Sequence, residues 1–180
     1  LSFFAKIKTV EVYVCLDNLK YSRHSFQTRN KIKIDSKEGW CYLLVPVKKR
    51  PQGTNFNELE IDFSTDWKKK HLKSIQLAYS NAKYFDEIYA DVEQIYRKKF
   101  TFLKEIVIDF IKYGMKSFEI ETEFLLSSDL SKQGFKTENK KSLYVLDLIK
   151  YLQGTKFLFG KNYWKYFTVD DKKAFKENNV

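Results

Sequence analysis

Between Phe85 and Ile111 an apolar residue returns every three or four positions: Phe85, Ile88, Tyr89, Val92, Ile95 and Tyr96, then, after a break at Phe100, Leu103, Ile106, Val107, Phe110 and Ile111. That spacing lines each set along one stripe of a helix. The middle of the chain is thereby committed to two amphipathic helices that must bury their stripes against other elements. The second is predicted to start near Thr101 and to end at Gly114. An earlier helix is entered through Ser64, Thr65 and Asp66, whose side-chain oxygens can accept first-turn amides.

The flanking runs are short and β-rich. Val10 to Leu16 reads as a buried strand running into a turn at Asp17-Asn18, and Trp40 to Val47 as a second strand. Glu58 to Phe63 alternates Leu59 and Ile61 with acidic neighbours, and Phe118 to Leu126 puts Phe118, Ile120, Thr122 and Phe124 on one strand face. Thr137 as cap and Gly154 as stop bracket a last helix, followed by a short strand from Lys156 to Phe159 closed by Gly160. Strands separated by helices predict an α/β fold with a mostly parallel sheet and a helical insertion in the middle of the chain.

With 43% apolar residues, 17% aromatic and two prolines, the 180 residues suit a single core rather than a disordered chain. We read residues 1–180 as one domain. Phe3, Phe4 and Ile7 are spaced as on a helix already under way, so the start reads as cut. The longest uncharged apolar stretch, Gly39 to Val47, is far shorter than the ~18 residues of a membrane span, so no transmembrane segment is expected. Cys15 and Cys41 cannot build a disulfide framework and favour a cytoplasmic location. The net charge of +10 comes from 29 lysines and four arginines (Arg23, Arg29, Arg50 and Arg97). Guanidinium is the preferred group for bidentate phosphate and base contacts, so this lysine surplus points away from specific nucleic-acid binding.

Open α/β sheets bind ligands beyond the carboxyl ends of their strands. Of three polar strand ends, Asp17 to Asn30 is the densest, with Asp17, Lys20, Tyr21, Arg23, His24, Phe26, Arg29 and Asn30 in fourteen residues. Such a segment can hold an anion while a ring packs on a sugar or base. It reads equally as a solvated basic loop with Asp17 as a turn residue. Ser127-Ser128-Asp129 and Gly160-Lys161-Asn162-Tyr163 are the weaker ends. His71 is a second candidate, a general base by its ordinary pKa or else a boundary histidine beside a lysine run. No metal-ligand spacing, phosphate loop, dinucleotide fingerprint or nucleophile elbow occurs as a continuous motif, and no cofactor is named by the sequence.

Taken in order, several segments resemble the WbqC-like family, proteins often encoded among bacterial O-antigen and other surface-polysaccharide biosynthesis genes. They are Phe4-Ala5-Lys6-Ile7, Val12 to Asp17, Lys20 to Ile32, Leu44 to Val47, Lys70-His71, Ile75, Tyr79, Tyr84-Phe85, Ser127 to Leu130, Leu158-Phe159-Gly160 and Tyr166. The resemblance covers nearly the whole chain and is most specific from Asp17 to Asn30. It implies a cytoplasmic transferase that puts an acyl or aminoacyl group on a nucleotide-linked amino sugar, using an activated acyl donor or carrier protein. Members usually open with a strand and a His/Gln-Pro-x-Tyr-x-Pro segment that this chain lacks, and the family's late glycine-rich stretch survives only as Gly160.

On that reading Asp17 or His71 takes a proton from the sugar amine, and Arg23 and Arg29 hold a diphosphate or phosphopantetheine anion. Tyr21 and Phe26 pack on a ring, and Asn30 and Ser128 complete the binding set. Arg23 and Arg29 are expected on one wall of a cleft, with Asp17 at its floor and His71 pointing into it. The alternatives are a nucleic-acid-binding module and a non-catalytic partner subunit.

Overall fold

The computed structural model describes residues 2–22, 25–160 and 167–180. By their contacts these form two compact units, Leu1–Cys15 with Thr122–Val180, and Leu16–Glu121.

In the first unit, helix α1 (Ser2–Lys8) leads into strand β1 (Val12–Cys15), which pairs in parallel with β4 (Glu123–Leu126). The register sets Val12 against Glu123 and Cys15 against Leu126, so both strands end at the same edge. Thr122 fixes the entry to β4, its hydroxyl lying 2.7 Å from the Ile7 carbonyl and 3.1 Å from that of Val10. Helices α5 (Ser127–Lys132), α6 (Lys141–Tyr151) and α7 (Val169–Glu177) follow. Val145, Leu146 and Ile149 of α6 bury against Phe167 and Phe175.

The chain between β1 and β4 is the second unit. Its strands β2 (Arg29–Lys33) and β3 (Trp40–Leu44) pair antiparallel, and helices α2 (Trp67–Tyr79), α3 (Phe85–Arg97) and α4 (Leu103–Ser117) form the expected helical insertion. Asp66 caps α2 by accepting the Lys69 amide at 3.2 Å, as its position before the helix predicted. The core of this unit joins Phe56, Leu59, Ile61 and Trp67 to Ile95, Tyr96, Leu103 and Ile106 of the two periodic helices. The fold is thus α/β, with one parallel and one antiparallel pair of strands among the described residues.

Four local expectations change. Leu59 and Ile61 are buried as their alternation predicted, but Glu58 to Phe63 forms no continuous ladder. Isolated bridges hold it on both sides, Val47 with Ile61 and Glu60 with Phe102. Pro46 accepts the Asp62 amide yet has no N–H to return, so the ladder stops there. Lys156 to Phe159 is not a strand, and Phe157 and Phe159 pack instead on each other and on Phe175 and Phe167. Gly114 lies buried within α4, which continues to Ser117; the left-handed residue beyond that helix is Glu119, at φ 51°. Thr137 turns its hydroxyl to the Asp147 carboxylate rather than to the first turn of α6.

Candidate functional site

Asp17 carries its carboxylate to a position with no solvent exposure. Burying such a charge is costly unless an opposite charge or donors meet it. Lys104 supplies one, its Nζ lying 3.5 Å from Asp17 Oδ2, and is itself three-quarters covered. The backbone around Asp17 is fixed by residues 54–57. The Asn57 amide donates to the Asp17 carbonyl and the Phe56 amide to the Leu19 carbonyl, both at 2.8 Å, and the Tyr21 amide donates to the Thr54 carbonyl at 3.0 Å. Lys104 is placed by the start of α4. There Leu103 is fully buried, and the Glu105 carboxylate accepts the Thr101 and Phe102 amides at 2.7 and 2.9 Å.

Tyr21 packs against the core of this unit, with the Arg50 guanidinium 4.1 Å from its ring centre. Its hydroxyl lies 3.5 Å from that of Thr28, a buried residue whose carbonyl accepts the Val45 amide at 2.9 Å. Arg29 opens β2 with its guanidinium 4.1 Å from the Tyr42 ring centre. Phe26 is 69% exposed, its ring centre 6.4 Å from that of Tyr42. Asn30 turns its side-chain oxygen to the neighbouring Lys31 amide at 2.8 Å. Ser128 is buried in the first turn of α5, in the other unit. Arg23 and its neighbour His24 lie outside the described residues, as do Lys161 to Tyr166, so the expected pairing of Arg23 with Arg29 and the end at Lys161-Asn162-Tyr163 fall there too.

His71 is 6% exposed, and both its ring nitrogens are engaged within the protein. Nε2 lies 3.0 Å from the Leu44 carbonyl, which can only accept, so Nε2 carries the proton. Nδ1 then accepts from the Tyr96 hydroxyl at 3.0 Å. Trp67 and Tyr96 pack edge-on against the imidazole. Burial pulls its pKa below the ordinary 6.5, only partly opposed by the Leu44 bond. This is a neutral histidine holding β3, α2 and α3 together, rather than the boundary residue that local pattern favoured.

Sequence reasoning missed Lys104, Arg50, Trp40 and Tyr42. Lys104 and Arg50 stand among many lysines and carry no local signal. Trp40, Tyr42 and Leu44 sit in an unbroken apolar run that reads as buried on both faces, whereas all three are exposed and only Cys41 and Leu43 are half-covered. Phe63 to Lys68 line an open hollow of about 250 Å³ before and at the first turn of α2, and none of the sequence-predicted site residues belongs to it. Among the described residues no three His, Cys, Asp or Glu side chains gather as a metal would require. No helix among them is long and apolar enough to cross a membrane, and neither Cys15 nor Cys41 is in a disulfide.

An uncharacterised protein of Mycobacterium tuberculosis (strain ATCC 25618 / H37Rv), Rv1507c, is 33% identical over 86 residues, a stretch covering 48% of this chain and 36% of that protein. The match thus spans about a third of the length of the curated relative. No solved structure matches the chain. The sequence model of the WbqC-like protein family matches residues 1–180, every position from first to last. The chain belongs to the WbqC-like protein family.

Proposed function

We propose that this protein acts in bacterial surface-polysaccharide biosynthesis, as a transferase that puts an acyl or aminoacyl group on a nucleotide-linked amino sugar. Family membership supports the pathway class, and the Asp17–Lys104 pair supports the chemistry. A fully buried carboxylate held against an ammonium is costly to keep, and such groups concentrate at sites that handle protons. The sugar amine must be neutral to attack. As its nitrogen bonds to the acyl carbonyl carbon, the bond from that carbon to the donor's sulfur or oxygen breaks, and the leaving group departs with the electron pair. The amine's proton passes to Asp17, and Lys104, 3.5 Å from Oδ2, orients that carboxylate beforehand.

Because Asp17 is fully covered, substrate reaches it only when a covering segment moves. Tyr21, Phe26, Arg29, Asn30 and Arg23 form the binding set in this reading. His71 has an architectural part, because its nitrogens are already used. A cytoplasmic location goes with the proposal, and the acyl donor is a thioester or ester, free or on a carrier protein. The test is a mass-spectrometric survey of nucleotide-linked amino sugars in a strain lacking the gene. Accumulation of an unmodified amino sugar with loss of its acylated form is expected, and an unchanged pool overturns the proposal.

A further inference from the structure

The β2–β3 hairpin has one open face, and its chemistry is unusual for a surface. In the register Arg29 opposes Leu44, Lys31 opposes Tyr42 and Lys33 opposes Trp40, so three cations and two aromatic rings share that face. Trp40 and Tyr42 meet edge to face at 5.0 Å, and Phe26 extends the row beyond Tyr42. Lys31 Nζ stands 3.4 Å from the Trp40 ring centre and 5.5 Å from that of Tyr42. Among the described residues neither Lys31 nor Lys33 has a carboxylate within ion-pair distance. On the other face Ile32, Cys41 and Leu43 are half-covered, and the hairpin is anchored at its edges, the Lys33 amide donating to the Tyr79 hydroxyl at 2.8 Å and the Leu44 carbonyl accepting from His71.

We propose that this face binds the nucleoside diphosphate part of the substrate, the base taking the place of the Lys31 ammonium over the Trp40 ring and Lys31 turning with Lys33 to the diphosphate. Flat rings beside cations that lack acidic partners are complementary to a ligand that is itself a ring joined to an anion. The size of the face favours a small ligand over a nucleic-acid strand. Five-residue strands span only about 17 Å, and the connecting turn, with Asp35 and Glu38 against the single Lys37, does not continue the positive charge past that end. A bilayer fits less well, since seating these rings in lipid would carry cations already held on them into a medium that penalises charge.

The inference rests on the proposed function for the sugar that the nucleotide carries. Its test does not depend on transfer. Uridine diphosphate is titrated into the full chain at about 0.15 M salt, followed by tryptophan fluorescence and calorimetry, with a short oligothymidylate and anionic phosphatidylglycerol vesicles as parallel probes. Saturable binding of uridine diphosphate is expected, weakened about tenfold or more in Trp40→Ala, in line with losing one stacking ring. The double variant Lys31→Ala/Lys33→Ala should weaken it similarly while leaving the rings in place, and Lys176→Ala, an exposed lysine of the other unit, should not.

Melting curves show which variants remain folded, and either hairpin variant that folds suffices. Absence of binding at millimolar nucleotide, equal loss in Lys176→Ala, or stronger hairpin-dependent binding of the oligonucleotide or the vesicles overturns the proposal. Nucleotide binding with an unchanged sugar pool in the deletion strain would sink the transferase reading alone. An altered pool without nucleotide binding would sink this subsite alone.

Discussion

His71 Nε2 donates to the carbonyl of Leu44 across 3.0 Å, joining the middle of α2 to the end of β3. Eight residues further along the same helix, the Tyr79 hydroxyl accepts the Lys33 amide at 2.8 Å, and Lys33 lies at the opposite end of the hairpin, paired with Trp40. One helix thus pins the hairpin at both ends, which holds the outer row of rings and cations in a fixed order.

Replacing His71 by Phe keeps a ring in the core but strands the Leu44 carbonyl and removes the acceptor of the Tyr96 hydroxyl. Stability should fall by about 1–3 kcal/mol, read by urea unfolding at neutral pH. The difference should itself depend on pH. Burial holds the folded histidine below the ordinary 6.5, so the unfolded chain takes up the proton first as pH falls. The neutral-histidine contribution is complete above about 6.5 and is lost as pH drops toward the folded value. The gap between wild type and His71→Phe should therefore narrow from pH 7.5 to pH 5.

Lys104→Met removes the ammonium beside Asp17 and leaves the chain to carry a fully buried carboxylate with less compensation. A loss of about 1–3 kcal/mol is expected. Asp17→Asn/Lys104→Met should recover part of it, because the charge needing a partner is gone. A double mutant no more stable than Lys104→Met alone would show that the two residues are not energetically coupled.

Leu103 has no exposure and sits where α4 meets the 56–61 segment, its amide donating to the Leu59 carbonyl at 2.8 Å. Leu103→Ala should cost about 2–5 kcal/mol by thermal or denaturant unfolding. Leu77→Ala, on an exposed position of α2, should change stability by no more than about 0.5 kcal/mol.

Despite the +10 charge, binding to unrelated oligonucleotides should be no tighter than about 10⁻⁶ M at physiological salt. Lysine dominates, and acidic residues are interspersed with it, so a steeply salt-dependent and sequence-blind term is all that is expected. Fluorescence anisotropy giving nanomolar affinity, or a clear preference among sequences, would instead identify the protein as a nucleic-acid-binding module.

The helices were legible because their stripes are regular: Ile95, Tyr96, Leu103 and Ile106 all reach the core that their spacing predicted. The β1 strand and the turn at Asp17 were legible for a similar reason, since a β-branched run ends there in turn formers. β2 was missed because Arg29 to Lys33 is mostly polar and owes its conformation to pairing with β3. Its lysines look the same in sequence whether they meet water or a tryptophan ring. The partner of Asp17 was invisible for another reason, since Lys104 is distant along the chain and only folding brings the two charges together. His71 shows the opposite failure, a residue whose chemistry suggests catalysis and whose surroundings consume both nitrogens.

The part of Asp17 in acyl transfer is decided by complementation of a strain lacking the gene. Wild-type protein and Asp17→Asn, each confirmed as folded in cell extract by its melting curve, are compared by mass spectrometry of the nucleotide-linked amino sugars. Wild type is expected to restore the acylated sugar, and Asp17→Asn to leave the unmodified amine in its place. Full restoration by folded Asp17→Asn would contradict that role for Asp17.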